Sequence, residues 1–178
     1  MDAGMSDRGF SLIETMVALG VMAVVLLGAA ALLTAGMQRI TSAPGDLTAT
    51  QKATEAIESV FSARDTHTLT WAQIQNVEGA SGDDGGIFLD GPQSLRAPGP
   101  DGLADTADDG AIETVMYPGP DHQLGTGDDV TVTLNGFTRE IQIRDIEPNL
   151  RSITVIITYR LGAATRTYRL TAYISSYA

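Results

Sequence analysis

The distribution of apolar and polar residues divides the chain into three parts, and the first is a long apolar run. From Met16 to Leu33 there is no charged residue and no proline. An α-helix needs about 20 apolar residues to cross a bilayer. The pattern therefore predicts a membrane-spanning helix over residues 10–39. Two of its glycines, Gly20 and Gly28, favour close packing against other helices.

A second helix is predicted after a break. Pro44 disfavours helix at the residue before it and Gly45 permits a sharp turn, while Asp46 is suited to the N-cap of a new helix. Apolar residues then recur at spacings of three and four. They are Leu47, Ala53, Ala56, Ile57, Val60 and Phe61. This spacing predicts an amphipathic helix over 46–63 that buries one side.

The last part, residues 130–178, alternates in β-branched and polar residues and predicts four strands in an antiparallel meander. Asn135-Gly136 is a strong hairpin signal after the strand 130–134, and further turns are predicted at 147–149 and 162–164. One face of the sheet is apolar, as packing on a helix requires. The predicted fold class is α+β, with the N-terminal helix packed on a C-terminal antiparallel sheet. Between helix and sheet, residues 64–129 are irregular, with a short helical turn capped by Thr70 and a short strand at 87–89.

Composition adds two constraints. The 178 residues include no cysteine, so no disulfide can stabilise the fold. The net charge is −11, and twelve acids but only one base lie between residues 76 and 130. Proteins that bind nucleic acid place cations against phosphate, so this segment argues against such a partner.

One acid, Glu14, lies at the front edge of the apolar run. A charged side chain near the centre of a membrane helix costs about 2.5–3.5 kcal/mol on insertion scales, and less near the edge. No basic residue follows within the next two helical turns. An ionisable residue in this position is a functional hypothesis, and it requires a partner from elsewhere.

The residues around this acid resemble the prepilin processing site of type IV pilins and type II secretion pseudopilins: they are Gly9-Phe10-Ser11-Leu12-Ile13-Glu14. The apolar run that follows is similar to PilV-like minor pilins and minor pseudopilins. The resemblance implies cleavage after Gly9, with residues 1–9 removed as a leader, and N-methylation of Phe10. It also implies that Glu14 meets the new N-terminal amine of a neighbouring subunit, and that residues 40–178 form a pilin-like globular domain.

Two simpler interpretations explain less of the N-terminal sequence. A secretory signal has a basic front and an apolar core of about 7–15 residues. Here the front contains Asp2 and Asp7 beside Arg8, and the apolar core is longer. A plain single-pass anchor is the remaining alternative, and it leaves Glu14 unexplained.

A duplication lies within the acidic segment. Residues 98–109 recur at 118–129 with seven identities in register. Their oxygen-bearing side chains are candidate Ca²⁺ ligands, because Ca²⁺ accepts 6–8 oxygen ligands in flexible geometry. The candidates are Asp101, Asp105, Asp108, Asp109, Asp121, Thr126, Asp128 and Asp129. The loops also resemble aspartate-rich calcium loops of secreted bacterial proteins, and major pseudopilins use calcium where pilins use a disulfide. The alternative is a pair of solvated turns in which aspartate is only a turn former.

Catalytic motifs are missing from the sequence. The two histidines, His67 and His122, are far apart, and neither a His-Glu-x-x-His nor a Gly-x-Ser-x-Gly motif is present. The sequence therefore predicts a structural subunit and not an enzyme. Its expected partners are a prepilin peptidase, other pilin or pseudopilin subunits contacted through the N-terminal helix, and the bacterial inner membrane. The C-terminal domain is expected outside the cytoplasm, and later in a pilus or pseudopilus. The alternative is a membrane-anchored calcium-dependent adhesive module outside any filament.

Overall fold

The computed structural model describes residues 11–78 and 85–177 and, at 38–43, only the backbone. The expected leader, residues 1–9, and the expected mature N-terminus, Phe10, lie outside the described residues. The helices are α1 (Leu12–Asp65) and a 3-10 helix (Trp71–Gln73). The strands are β1 (Gln93–Ser94), β2 (Thr114–Tyr117), β3 (Val130–Thr133), β4 (Phe137–Glu147), β5 (Leu150–Leu161) and β6 (Ala164–Ser175). The chain divides into two compact units, Met1–Ala43 and Pro44–Ala178.

The first unit contains the apolar part of α1. Its 26 residues Leu12–Met37 are long and apolar enough to cross a membrane. The large apolar side chains here are at least 60% exposed, in contrast to the core of a soluble protein. A helix that is apolar all round requires a nonpolar environment, such as lipid or neighbouring helices. The predicted helix is therefore present, and its length and composition are consistent with a membrane span.

Helix α1 continues through Pro44, so the predicted break at Pro44-Gly45 is wrong. A proline removes its own N–H from the hydrogen-bond ladder and can kink a helix, but the turns on either side keep their bonds. Asp46 consequently lies inside α1 instead of capping a new helix. Its carboxylate accepts hydrogen bonds from the Tyr159 hydroxyl and, at 3.3 Å, from Arg166.

In the second unit, α1 presents the amphipathic pattern that the sequence predicts. Ala49, Ala53 and Val60 are fully buried, and they pack in one core with apolar residues of the main sheet. The sheet contributes Ile141, Ile143, Ile153, Val155, Ile157 and Ile174. Leu47 is exposed, so it does not belong to the buried side. The α+β fold with a helix packed on an antiparallel sheet is confirmed.

The main sheet has the strand order β1-β4-β5-β6, and β2 pairs with β3 in a separate ribbon. Strands β4, β5 and β6 form the predicted meander, with turns at Pro148-Asn149 and at Gly162, whose φ is +60°. The predicted hairpin between 130–134 and β4 is wrong. A turn does follow Leu134, whose carbonyl accepts the Phe137 N–H at 3.0 Å, but β3 pairs with β2. The edge of β4 is already occupied by β1, at Thr138 and Arg139.

The irregular segment 64–129 contains a 3-10 helix and a bridge, and one of its side chains binds the edge of β4. The 3-10 helix matches the predicted helical turn, and the Thr70 N–H donates to Gln73 Oε1 at 2.9 Å. The predicted strand at 87–89 is reduced to a single bridge between Asn76 and Phe88. Asn76 instead pairs with β4 through its side chain, donating to the Ile141 carbonyl and accepting from the Ile143 N–H, each at 2.8 Å.

The ribbon is connected to the main sheet by backbone hydrogen bonds. Leu95 N–H donates to the Phe137 carbonyl at 3.2 Å, Glu113 N–H to the Leu95 carbonyl at 2.9 Å, and Leu134 N–H to the Glu113 carbonyl at 2.9 Å. These bonds run outward from β4 past β1 and β2 to β3. The two duplicated loops lie on this side of the domain.

Candidate functional site

The two copies of the acidic motif have the same backbone conformation. Each closes the end of an antiparallel pair: the Gly110 N–H donates to the Ala97 carbonyl in the first, and Tyr117 pairs with Val130 in the second. Positive φ angles occur at matching positions. They are +73° at Gly102 and +57° at His122, then +59° at Asp105 and +88° at Gly125. The sequence duplication is therefore a duplication of structure.

The first aspartates of each copy point into their own loop. Asp101 accepts the Leu103 N–H at 2.8 Å, and Asp121 accepts the Gln123 N–H at 2.8 Å. Asp108 and Asp128 each accept a hydrogen bond from the threonine two residues before them, at 2.7 and 2.6 Å. These threonine hydroxyls, helped by backbone N–H groups, lower the pKa of Asp108 and of Asp128.

The last aspartate of each copy accepts a hydrogen bond from the backbone four residues before it. The Asp105 N–H donates to Asp109 Oδ2 at 2.9 Å, and the Gly125 N–H donates to Asp129 Oδ2 at 2.6 Å. Each copy thus uses three aspartates as acceptors for its own backbone and hydroxyl groups. This arrangement stabilises a loop in a chain that has no disulfide.

The second residue of each copy must be glycine for steric reasons. A Cβ on Gly99 would lie 2.4 Å from the Asp108 carbonyl oxygen, and one on Gly119 would lie 2.3 Å from that of Asp128. Gly127 has no atom within 4 Å of such a Cβ, and the matching residue of the first copy is alanine, Ala107.

We expect Gly99→Ala and Gly119→Ala each to destabilise the domain by about 1–3 kcal/mol, the usual cost of forcing an extra carbon into a packed site. Gly127→Ala is the matched control and should leave stability within about 0.5 kcal/mol of wild type. Urea denaturation followed by circular dichroism measures all three. Equal stability of Gly99→Ala and Gly127→Ala would contradict the close approach.

Among the acids, the copies differ at one position, where Asp105 of the first stands opposite Gly125 of the second. Asp105 is fully buried, and its Oδ1 accepts a hydrogen bond from Arg139 Nε at 3.0 Å. Arg139, itself only 2% exposed, also lies 3.5 Å from Glu113 and 3.9 Å from Asp109. Its position on β4 ties the first loop to the main sheet.

Lys52 of α1 extends this ionic cluster. Its Nζ is 2.5 Å from Glu113 and 2.6 Å from Glu55. Burial lowers the pKa of Lys52, but the hydrogen bonds with Glu113 and Glu55 outweigh it and leave the pKa raised. The cluster, defined as Lys52, Glu55, Asp105, Asp109, Glu113 and Arg139, holds four acids and two bases.

Among the acids of this cluster, burial affects Asp105 most. Burial raises its pKa to about 6, although the charge and hydrogen bond of Arg139 act in the opposite direction. Burial also raises the pKa of Asp109. Asp105 Oδ2 has no hydrogen-bond partner, so Arg139 satisfies only one of the two carboxylate oxygens. The charge of Arg139 is therefore essential to keep three acids in this interior.

The second copy has no comparable counter-ion. Among the described residues, no basic side chain lies within ion-pair distance of Asp121, Asp128 or Asp129, and Asp129 Oδ1 has no hydrogen-bond partner. Across 11–78 and 85–177, no three histidine, cysteine, aspartate or glutamate residues are grouped as metal ligands. A cation in either loop would therefore depend on backbone carbonyl and hydroxyl oxygens beside the aspartates.

The predicted assembly residue, Glu14, lies in the first turn of α1 and is exposed. It lies inside the apolar helix Leu12–Met37, two residues before the uncharged run that begins at Met16. Gly9 and Phe10, the predicted cleavage and methylation residues, are outside that part, so their roles stay predictions.

Comparison with known proteins bears on this N-terminal segment. Residues 4–30 match the prokaryotic N-terminal methylation motif. The methylation motif includes Gly9, Phe10 and Glu14, and it is consistent with a type IV pilin-like protein. It supports a precursor of the pilin or pseudopilin type that a prepilin peptidase processes, and a structural subunit rather than an enzyme. With one apolar helix behind it, the motif is consistent with a single-pass membrane anchor. No curated protein and no solved structure matches the chain.

Proposed function

We propose that the chain is a minor pilin or pseudopilin of the PilV-like kind. A prepilin peptidase cleaves it after Gly9, Phe10 is N-methylated, and the mature subunit enters a type IV pilus or a type II secretion pseudopilus. Before assembly it is held in the bacterial inner membrane with the C-terminal domain outside the cytoplasm. The observation that carries this proposal is the methylation motif at residues 4–30, with Glu14 exposed at the front of a 26-residue apolar helix.

The charge balance at the helix front supports the proposal. An acid in a nonpolar environment is destabilising unless a cation and hydrogen bonds meet it. Cleavage after Gly9 creates a cation, the amine of Phe10, at the end of every processed copy. A carboxylate and an ammonium at neighbouring helix ends form a charge-assisted hydrogen bond, which is about twice as strong as a neutral one. Glu14 would thus set the axial position of one subunit against the next.

Processing is tested on the full chain produced in cells that contain a prepilin peptidase. Mass spectrometry of the membrane-extracted protein should find a mature N-terminus at Phe10 that carries one methyl group. The same chain from cells without the peptidase is the control and should keep residues 1–9. A chain that still begins at Met1 in the presence of an active peptidase would overturn the proposal.

The duplicated loops support a second element of the proposal, a bound Ca²⁺. The second copy offers Asp121, Thr126, Asp128 and Asp129 with no basic neighbour among the described residues, which leaves its carboxylates without a counter-ion. In the first copy Asp101, Asp108 and Asp109 are the corresponding acids, while Asp105 has Arg139 as its counter-ion. Ca²⁺ would supply positive charge that holds the loop oxygens together. A membrane-anchored calcium-dependent adhesive module, without filament assembly, is the alternative function that these loops favour.

Calcium binding predicts a higher melting temperature, because a ligand that binds only the folded state stabilises it. Extracellular calcium modules have dissociation constants of about 10⁻⁴–10⁻³ M, and a tenfold excess over that value adds about 1.4 kcal/mol. The melting temperature of the full chain in detergent should therefore be higher in millimolar CaCl₂ than in chelator. Asp128→Asn should reduce the rise more than Asp105→Asn. Identical melting curves with calcium and with chelator would contradict calcium binding, both for the filament subunit and for the adhesive module.

A further inference from the structure

The second unit has two outer strands, at opposite ends of one hydrogen-bonded layer. Strand β6 ends the main sheet, and in the described part of the chain no strand pairs with its outer edge. Strand β3 ends the ribbon in the same way. The backbone bonds from Phe137 through Leu95 and Glu113 to Leu134 join the ribbon to the main sheet. The layer therefore presents two edges to a possible neighbour, and they are far apart in strand order.

These edges carry opposite charge. From Pro148 to the C-terminus the sequence contains four arginines and no acid, and three of them, Arg160, Arg166 and Arg169, are exposed on the β5–β6 hairpin. The loop 118–129, which connects β2 to β3, contains three aspartates and no lysine or arginine. Arg166 is partly engaged with Asp46, so Arg160 and Arg169 are the available cations.

The side chains of the acidic edge favour strand pairing. All four residues of β3, Val-Thr-Val-Thr, are exposed, and Met116 of β2 is exposed beside them. Uncharged β-branched residues on an open edge form a template for another strand. By contrast, the inner edge of β4 is closed by β1 and by the Asn76 side chain. Within the described chain, the open positions are thus β3 and β6.

The charges near the two edges favour one of the three ways in which the open strands of two copies could pair. Two β6 edges would bring arginines together, and two β3 edges would bring aspartates together, and like charges across an interface are destabilising. A β3 edge against a β6 edge places opposite charges together. We propose that the outer edge of β6 binds the β3 edge and the 118–129 loop of a second copy of this chain, with Arg169 on β6 and Arg160 at the adjoining end of β5 as the cations.

This contact is head-to-tail, so a bound pair leaves one free edge of each kind and the contact can repeat without closing. The inference rests on the proposed function, in which subunits are held side by side by their N-terminal helices. Strand β3 has four residues, about 13 Å of strand, so the contact alone is small. Helix association raises the effective concentration of the two edges, and a weak contact then becomes occupied.

The absence of cysteine from the chain allows a direct test by cross-linking. Val132→Cys on β3 and Thr165→Cys on β6 are made in separate full-length chains, which are mixed in detergent micelles and treated with a short bismaleimide. Both positions are exposed, so neither change affects the core. The mixture should give several-fold more cross-linked dimer than either variant alone. Glu58→Cys, on an exposed position of α1, replaces either partner as the control and should give only the background level.

Charge dependence completes the test. Arg169→Glu in the Thr165→Cys chain should reduce cross-linking several-fold, and Arg169→Lys should retain it. About 1 M NaCl should also reduce it, because the screening length falls to about 3 Å. Cross-linking that is equal in single-variant samples, or that ignores both charge reversal and salt, overturns the inference. Such a result leaves the Phe10 N-terminus and Glu14-dependent assembly unaffected, so the failure would be distinct from failure of the proposed function.

Discussion

Replacing Glu14 with alanine is expected to abolish incorporation of the chain into filaments while leaving leader cleavage intact. The carboxylate would no longer meet the Phe10 amine of a neighbour, and that amine would remain as an unpaired charge in a nonpolar environment. Breaking a buried ion pair by removing one partner costs about 3–5 kcal/mol. At about 1.4 kcal/mol per factor of ten, this is at least a hundredfold loss of affinity at each contact.

The measurement uses cells that express the other subunits of the filament. Sheared filaments are collected and probed for the chain, and the N-terminus of the membrane-bound fraction is determined by mass spectrometry. Glu58→Ala, which removes an exposed acid from the second unit, is the control and should be incorporated normally. Normal incorporation of Glu14→Ala would instead favour the membrane-anchored adhesive module, in which the helix is only an anchor.

Replacing Arg139 with alanine is expected to lower the free energy of unfolding by about 3–5 kcal/mol, because Asp105 would remain buried without its cation. Glu113 would keep only its ion pair with Lys52. Asp105 is fully buried and Glu113 is 8% exposed, so water could not replace the guanidinium. Domains are usually stable by only about 5–15 kcal/mol, and the loss would be a large part of that.

Urea denaturation of the full chain, followed by circular dichroism, measures this loss. Arg169→Ala removes an exposed arginine of β6 and should change stability by no more than about 0.5 kcal/mol. The double variant Arg139→Met with Asp105→Gly gives the first loop the glycine that the second loop has at the matching position, Gly125. It also removes one unpaired acid, so it should recover part of the lost stability. If Arg139→Ala were no less stable than Arg169→Ala, the ionic cluster would have no stabilising role.

Local patterns in the sequence predict the α-helix and the long strands correctly. The prediction for strand pairing fails where a segment distant in sequence pairs with a strand. Helical spacing in 46–63 and alternation in β5 and β6 each determine one buried side, and both are confirmed by the core. The break at Pro44 was wrong because one missing N–H does not end a long helix. The hairpin at Asn135-Gly136 was wrong because Gln93-Ser94, a pair with no strand signal of its own, occupies the edge of β4.

The site was only partly accessible from the sequence. The duplication is visible as seven identities, and the matching φ angles follow from it. The partner of Asp105 was not predictable, because Arg139 is 34 residues away and pairs only after the sheet forms. A signal was nevertheless present: Asp105 is the only acid of the first copy without an acidic counterpart in the second, which indicates a role outside the shared loop structure. The calcium ligands stay predictions.

The Asn76 side chain, which pairs with Ile141 and Ile143 in place of a strand, has a consequence for chemical ageing. Hydrolysis of its amide would put a carboxylate oxygen against the Ile141 carbonyl, and two acceptors cannot share a hydrogen. The contact between Asn76 and β4 would then be lost, and the edge of β4 at Ile141 and Ile143 would be open to pairing with another strand. At 2% exposure the amide is shielded from the water that this hydrolysis requires.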